Sequence, residues 1–137
     1  MMLIDKEVNE SVERLRARYD MQPHPEGGYY AELYRSATNV NVDSALLDNE
    51  RLSVCTHIHY MLVGKSYSAW HRIKSDEIWH WHVGGEMKIH VLQPDFTLKT
   101  VLLGNPLHNE KANLTYCVPA GLWFAAELVD VKQFAMV

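Results

Sequence analysis

Residues 68–86 read SAWHRIKSDEIWHWHVGGE, and the fold turns on how this stretch is parsed. Lys74-Ser75-Asp76 is a polar turn signal between two β-forming runs. A strand opening at Glu77 alternates its side chains. That puts Glu77, Trp79, Trp81 and Val83 on one face and Ile78, His80 and His82 on the other. His71 precedes Glu77 by six residues across the turn. In a hairpin that separation brings the imidazole and the carboxylate together. One His and one carboxylate make half of a metal site, or a base with its orienting partner.

Working outward, the chain from residue 51 onward is a series of short strands. Candidates are 53–63, 67–73, 77–83, 86–92, 98–103, 114–118, 122–128 and 131–136. Turn residues separate them at Gly64-Lys65, Gly84-Gly85, Pro94-Asp95, Gly104-Asn105-Pro106 and Pro119-Ala120-Gly121. Short strands at this spacing predict an all-β sandwich or barrel. Toward the N-terminus, DKEVNESVERLRARYD (5–20) has Val8, Val12 and Leu15 at helical spacing, with Asp5 placed to cap the first turn. Pro23, Pro25, Gly27 and Gly28 then make a turn, followed by the alternating strand YYAELYR (29–35). Residues 37–50 are polar and aperiodic and read as a loop, with a short helical turn around SALLDN.

The 137 residues (15.8 kDa) suit one domain with a real core. We expect 1–137 to be a single domain, 1–22 being the N-terminal helix and lead-in and 23–137 the β-barrel. The formal charge of -4 and the lack of a basic cluster argue against a nucleic-acid partner. No apolar run is long enough to span a membrane as a helix. MMLIDKEVNE has no basic segment followed by an apolar run, so a cytoplasmic location is expected. Cys55 and Cys117 stand far apart and outside any C-x-x-C spacing; they are expected to be reduced, partly buried thiols. Five of the eight histidines fall at positions 57, 59, 71, 80 and 82, which locates the chemistry.

Three blocks carry a family resemblance: PHPEGGYYAELYRS (23–36), HRIKSDEIWH (71–80) and VPAGLWFAAEL (118–128). His71, the gap to Glu77, Gly84 after six intervening residues, and the later P-x-G turn Pro119-Ala120-Gly121 resemble the cupin motifs. The three blocks together resemble the uncharacterised cupin-5 branch, over nearly the whole chain. The resemblance implies an all-β cupin double-stranded β-helix, a jelly-roll barrel, with an N-terminal helix and a pocket between its sheets. It also implies a homodimer. Members of that branch commonly continue past the last strand present here, so the resemblance implies an edge left short or covered by a partner subunit.

The departures bear on cofactors. His71 and Glu77 match two of the four usual cupin metal ligands, but the second His of the H-x-H falls on Ile73 and the third His on Phe124. The usual upstream Gly is displaced by one place, to Gly64. A divalent metal would therefore rest on His71 and Glu77 alone, where three or four ligands are the norm. The i, i+2 pairs His57/His59 and His80/His82 are either metal chelators or polar residues on a sheet face. A four-His site across neighbouring strands is a further reading.

For a small-molecule ligand, the candidate contacts are Tyr60, Arg72, Trp79, Trp81, Tyr116 and Phe124. The aromatic residues, with Trp123, suit a planar or sugar-like molecule. Tyr60 or Tyr116 suits a proton donor, while Arg72, Lys74 and Arg35 suit an anionic group. Each also has a structural reading as packing or as a solvated charge. PEGG is not a phosphate loop, and no G-x-S-x-G appears. Three functions compete. The first is metal-free isomerisation or epimerisation of a sugar-like carbonyl compound, with His71 as base and Glu77 orienting it or moving the proton. The second is a metal-dependent oxygenase, lyase or isomerase. The third is a non-catalytic binding module or structural dimer, which Ile73 and Phe124 favour.

Overall fold

A computed structural model describes residues 4–41 and 51–137. One helix, α1 (Lys6–Tyr19), precedes thirteen strands. These are β1 (Gln22–Pro23), β2 (Tyr29–Arg35), β3 (Asn39–Asn41), β4 (Arg51–Ser53), β5 (Thr56–Val63), β6 (Tyr67–His71), β7 (Glu77–His80), β8 (Val83–Gly84), β9 (Met87–Leu92), β10 (Leu98–Leu103), β11 (Thr115–Val118), β12 (Phe124–Leu128) and β13 (Phe134–Met136). Every pairing between these strands is antiparallel. One sheet runs β1-β2-β5-β13-β8, a second β10-β9-β12-β6, and two short pairs, β11-β7 and β3-β4, complete the set. This is a jelly roll with an N-terminal helix, as expected.

The core lies between the two larger sheets. β5 contributes Tyr60 and Leu62, β9 contributes Met87, Ile89 and Val91, and β12 contributes Phe124, Ala126 and Leu128. Trp79 of β7 and Val118 of β11 close one side. A second cluster sits outside the five-stranded sheet, where α1 lays Val12 over Met61, Phe134 and Met136. β5 is therefore covered on both faces, Tyr60 and Leu62 toward the barrel and Met61 toward the helix. That explains its near-continuous apolar run MLV. Asp5 caps α1 by accepting from the Glu7 amide at 3.3 Å, and Asp20 ends it in the left-handed conformation (φ 50°).

Several expected strands are shorter or divided. The 53–63 run is two strands, because the chain bends at Val54-Cys55 between the β3-β4 pair and the larger sheet. The 77–83 run is also two. After His80 the chain leaves β11: the Trp81 amide bonds the Leu114 carbonyl at 2.8 Å and the His82 amide bonds the Met136 carbonyl at 3.0 Å. Trp81 stays with the core, but Val83, expected on the same face, is exposed. The supposed loop at 37–50 begins with a strand, β3, whose ladder with β4 (Asn39 to Ser53) overrides its polar composition. The helical turn expected at SALLDN lies outside the described residues. Cys55 and Cys117 are free, as expected, but exposed rather than partly buried.

The PHPEGG segment is a tight turn. The His24 amide donates to the Gly28 carbonyl at 2.9 Å and the Gly27 amide to the His24 carbonyl at 3.0 Å. Gly28 has φ +72°, and a Cβ there would run into the Met61 carbonyl and the Leu62 side chain. Gly28→Ala should thus destabilise the protein by about 2 kcal/mol or more, measured as a lower urea midpoint. An unchanged midpoint would show that the turn does not hold this geometry.

Candidate functional site

A cavity of about 240 Å³ opens at one end of the barrel. His71 stands at the end of β6 and Glu77 at the start of β7, and both line it. They reach it from different sheets, since β6 pairs with β12 and β7 with β11. The Lys74-Ser75-Asp76 turn between them is tied down where Asp76 accepts from the Ala120 amide at 2.9 Å, in the P-x-G turn.

Glu77 is partly buried, and burial raises its pKa above the ordinary 4.5. Two weaker influences oppose this, the hydrogen bond from Trp79 Nε1 to Glu77 Oε1 (2.6 Å) and the nearby His71. The net direction favours the neutral acid. His71 places Nδ1 2.6 Å from the Ala69 carbonyl, and its ring lies 4.2 Å, centroid to centroid, from that of Phe124.

Tyr60 lines the cavity with its hydroxyl donating to the Gly27 carbonyl at 2.8 Å, and burial pushes its pKa up to about 12. It is a neutral phenol at any ordinary pH. Trp79 packs edge-on against Tyr60 (5.8 Å) and Phe124 (6.3 Å). The remaining expected ligand contacts are placed elsewhere. Arg72 is exposed with its guanidinium 5.4 Å from the Trp123 ring. Trp81 donates Nε1 to the Gly85 carbonyl at 3.0 Å. Tyr116 lies under Lys99 at 5.2 Å. Phe124 is fully buried behind His71 rather than open to the cavity. Among the described residues, no Lys or Arg lines the cavity.

Several cavity residues escaped the sequence reading, two of them polar and well placed. His24 reaches the cavity from the PHPEGG turn and Ser68 from β6. The signal for His24 was present: a histidine between two prolines, followed by Gly-Gly, is a side chain on a rigid mount. His24 Nδ1 lies 3.1 Å from the Glu26 amide and 3.0 Å from Glu26 Oε2. Its pKa is lowered, chiefly by burial; Glu26 opposes this, and His71 adds to it.

Of the expected His pairs, His57, His80 and His82 line the cavity, whereas His59 does not and packs against Tyr19 of α1 at 4.5 Å. The His59 and His82 rings are 5.6 Å apart. Both pKa values are lowered, first by burial and then by neighbouring imidazoles. Among the described residues, no three His, Cys, Asp or Glu side chains are arranged to hold a metal ion. At the cupin ligand positions, His71 and Glu77 face one apolar cavity wall, Ile73, and one core ring, Phe124. Phe124 fills its position with no exposed surface, and Glu77 Oε1 is engaged by Trp79. This donor set does not fit the four-ligand metal centre.

Comparison with known proteins agrees with the architecture. Residues 13–137 match the Cupin_5 family, described as Cupin superfamily (DUF985). The chain belongs to that family. It is similar to the solved structure of a hypothetical protein from Leishmania major (29% identity, 90% of this chain and 77% of that chain, TM-score 0.74). A protein from Shewanella oneidensis is similar at 25% identity (90% and 72%, TM-score 0.74). Oxalate decarboxylase of Bacillus subtilis, a protein with Mn(II) centres, shares the fold alone (12% identity, 85% of this chain and 26% of that chain, TM-score 0.52). No curated protein matches the chain. No helix among the described residues is long and apolar enough to cross a membrane.

The direction of the Glu77 shift predicts a pH signature. A raised folded-state pKa contributes stability that is fully present below the unfolded value of 4.5 and is lost as pH rises through the folded value. Wild type and Glu77→Gln should therefore have the same stability difference at pH 4 and below, and the difference should move in favour of the Gln variant as pH rises. Urea midpoints at pH 4 and pH 8 read this directly. A difference moving in favour of wild type would mean that Glu77 ionises in a stabilising pair.

Proposed function

We propose that this chain is a small-molecule-binding cupin whose cavity isomerises or epimerises a small sugar-like carbonyl compound, using His71 and Glu77 without calling on a metal. One observation carries the reading. An imidazole whose inner nitrogen is engaged by a backbone carbonyl shares a cavity with a carboxyl group whose pKa burial raises toward the acid form. His71 Nε2 takes the proton from the carbon beside the carbonyl, and the C–H pair becomes the C=C bond of an enediol. The neutral Glu77 gives its proton to the carbonyl oxygen. For isomerisation, the resulting carboxylate takes the proton of the neighbouring hydroxyl, and the imidazolium returns its proton to the former carbonyl carbon. For epimerisation, the proton returns to the original carbon on its other face. Both groups end as they began, so no co-reactant is consumed. Proton transfer by positioned side chains of this kind contributes about 10²–10⁴-fold.

The test is exchange of carbon-bound hydrogen for deuterium in D2O, followed by proton NMR, with dihydroxyacetone, glyceraldehyde and free hexoses as probes. Wild-type protein should catalyse exchange into at least one probe. His71→Ala should lower that rate about 100-fold or more while thermal unfolding stays cooperative. Full exchange activity in His71→Ala would sink the proposal.

A homodimer belongs to the same reading. The β3-β4 pair prolongs the β2-β5 ladder, where the Ser36 amide bonds the Cys55 carbonyl and the Val54 amide bonds the Thr38 carbonyl, each at 3.0 Å. Leu33, Tyr34, Val40, Leu52 and Val54 leave apolar surface exposed along it. A second copy covering this edge removes that surface from water. Light scattering should then give twice 15.8 kDa; a single mass at micromolar concentration would exclude the dimer.

A further inference from the structure

Two of the imidazoles that line the cavity, His24 and His71, do not offer it the same group. His71 Nδ1 lies 2.6 Å from the Ala69 carbonyl. A carbonyl only accepts, so this nitrogen carries the hydrogen, and in the neutral ring Nε2 is left with a lone pair. His24 Nδ1 lies 3.1 Å from the Glu26 amide. A backbone amide only donates, so here Nδ1 carries the lone pair and Nε2 carries the hydrogen. Glu26 Oε2, at 3.0 Å from the same Nδ1, favours the other tautomer. The backbone amide decides between them. It is fixed by the turn, whereas the Glu26 side chain is 35% exposed and water competes for its carboxylate.

The mount is stiff. His24 sits between Pro23 and Pro25, its amide bonds the Gly28 carbonyl, and its ring meets Tyr30 at 4.9 Å and Tyr60 at 5.2 Å, both edge-on. Among the described residues, neither ring's Nε2 has a hydrogen-bond partner within the protein. The remaining lining favours an uncharged ligand. Asp76 and Glu77 are present, and among the described residues no Lys or Arg lines the cavity to face a phosphate or carboxylate. The cavity of about 240 Å³ suits a small molecule.

We infer that His24 Nε2–H is a fixed hydrogen-bond donor to the carbonyl oxygen of an uncharged hydroxycarbonyl compound whose carbon-bound proton is taken by His71 Nε2. The ligand assignment rests on the proposed function; the opposite tautomers do not. A neutral N–H polarises the carbonyl without giving up its proton, so the proton balance through Glu77 is unchanged.

Long-range proton–nitrogen NMR at pH 7.5 reads the tautomers directly, with His24→Gln and His71→Gln supplying the assignments. The expected result is Nδ1–H at His71 and Nε2–H at His24. The same tautomer at both, or a cationic His24, overturns the inference whatever the activity. Deuterium exchange into dihydroxyacetone then tests the ligand. His24→Leu should lower kcat at least 10-fold, and His24→Gln, which keeps an N–H near the Nε2 position, should recover part of the loss. Dihydroxyacetone phosphate should exchange no faster than the uncharged probe. An unchanged rate in His24→Leu, or a clear preference for the phosphate, overturns this assignment while leaving His71 as the base. No exchange into any probe by wild type overturns the proposed function and the ligand assignment with it.

Discussion

The structure depends on where Phe124 sits. It is the first residue of β12, which pairs with β6 on one side and β9 on the other, so Phe124 stands opposite His71 and Val91. Its side chain has no solvent exposure. Burying a phenyl ring of this size contributes about 1.5–3 kcal/mol, and here it also backs the cavity wall. His71 leans against it at 4.2 Å and Trp79 meets it edge-on. The ring thus sets the orientation of His71 while denying the cavity the third imidazole that other cupins carry at this position. With Ile73 on the wall, an apolar surround replaces half of a metal's ligand set, and the burial it brings raises the pKa of Glu77.

The remaining polar groups follow from that choice. Burial in this cavity disfavours the charged forms of Glu77 and His24. Glu77 shifts up, His24 shifts down, and Tyr60 stays a phenol to about 12. Asp76 stands on its turn at the cavity wall, and among the described residues no Lys or Arg lines the cavity. Arg72, which a sequence reading makes a natural anion ligand, lies instead over Trp123 on the outside. The side chain gains an aromatic face there and keeps its charge in water.

Much of the fold was legible in the chain. Helix α1, β2 and β10 fall where periodicity places them, and the turn residues mark the intervals between strands. What periodicity missed were breaks made by pairing partners. The 53–63 and 77–83 runs look continuous because β-forming residues continue through them, but each changes sheet partway. The strand β3 was invisible because its residues are polar and its only support is the ladder to β4. In the site, His71, Glu77, Tyr60 and Trp79 are brought to one cavity, and Ile73 and Phe124 mark the departures from the ligand pattern. His24 stayed hidden because nothing local says which way a side chain on a proline-flanked turn points.

The sequence by itself determined the class of fold, the family, the closeness of His71 and Glu77 along the chain, and the apolar residues at two ligand positions. These are properties of residue order: alternation, turn chemistry and spacing act over a few neighbours. Only the tertiary structure decided which face of β5 looks into the barrel, that Phe124 backs His71 instead of opening to the cavity, and that His24 arrives from some fifty residues away. Those outcomes depend on long-range register and on which surfaces are left dry. Burial by distant elements shifts the pKa of Glu77 and His24, while backbone groups only two residues away, the Glu26 amide and the Ala69 carbonyl, hold the two tautomers.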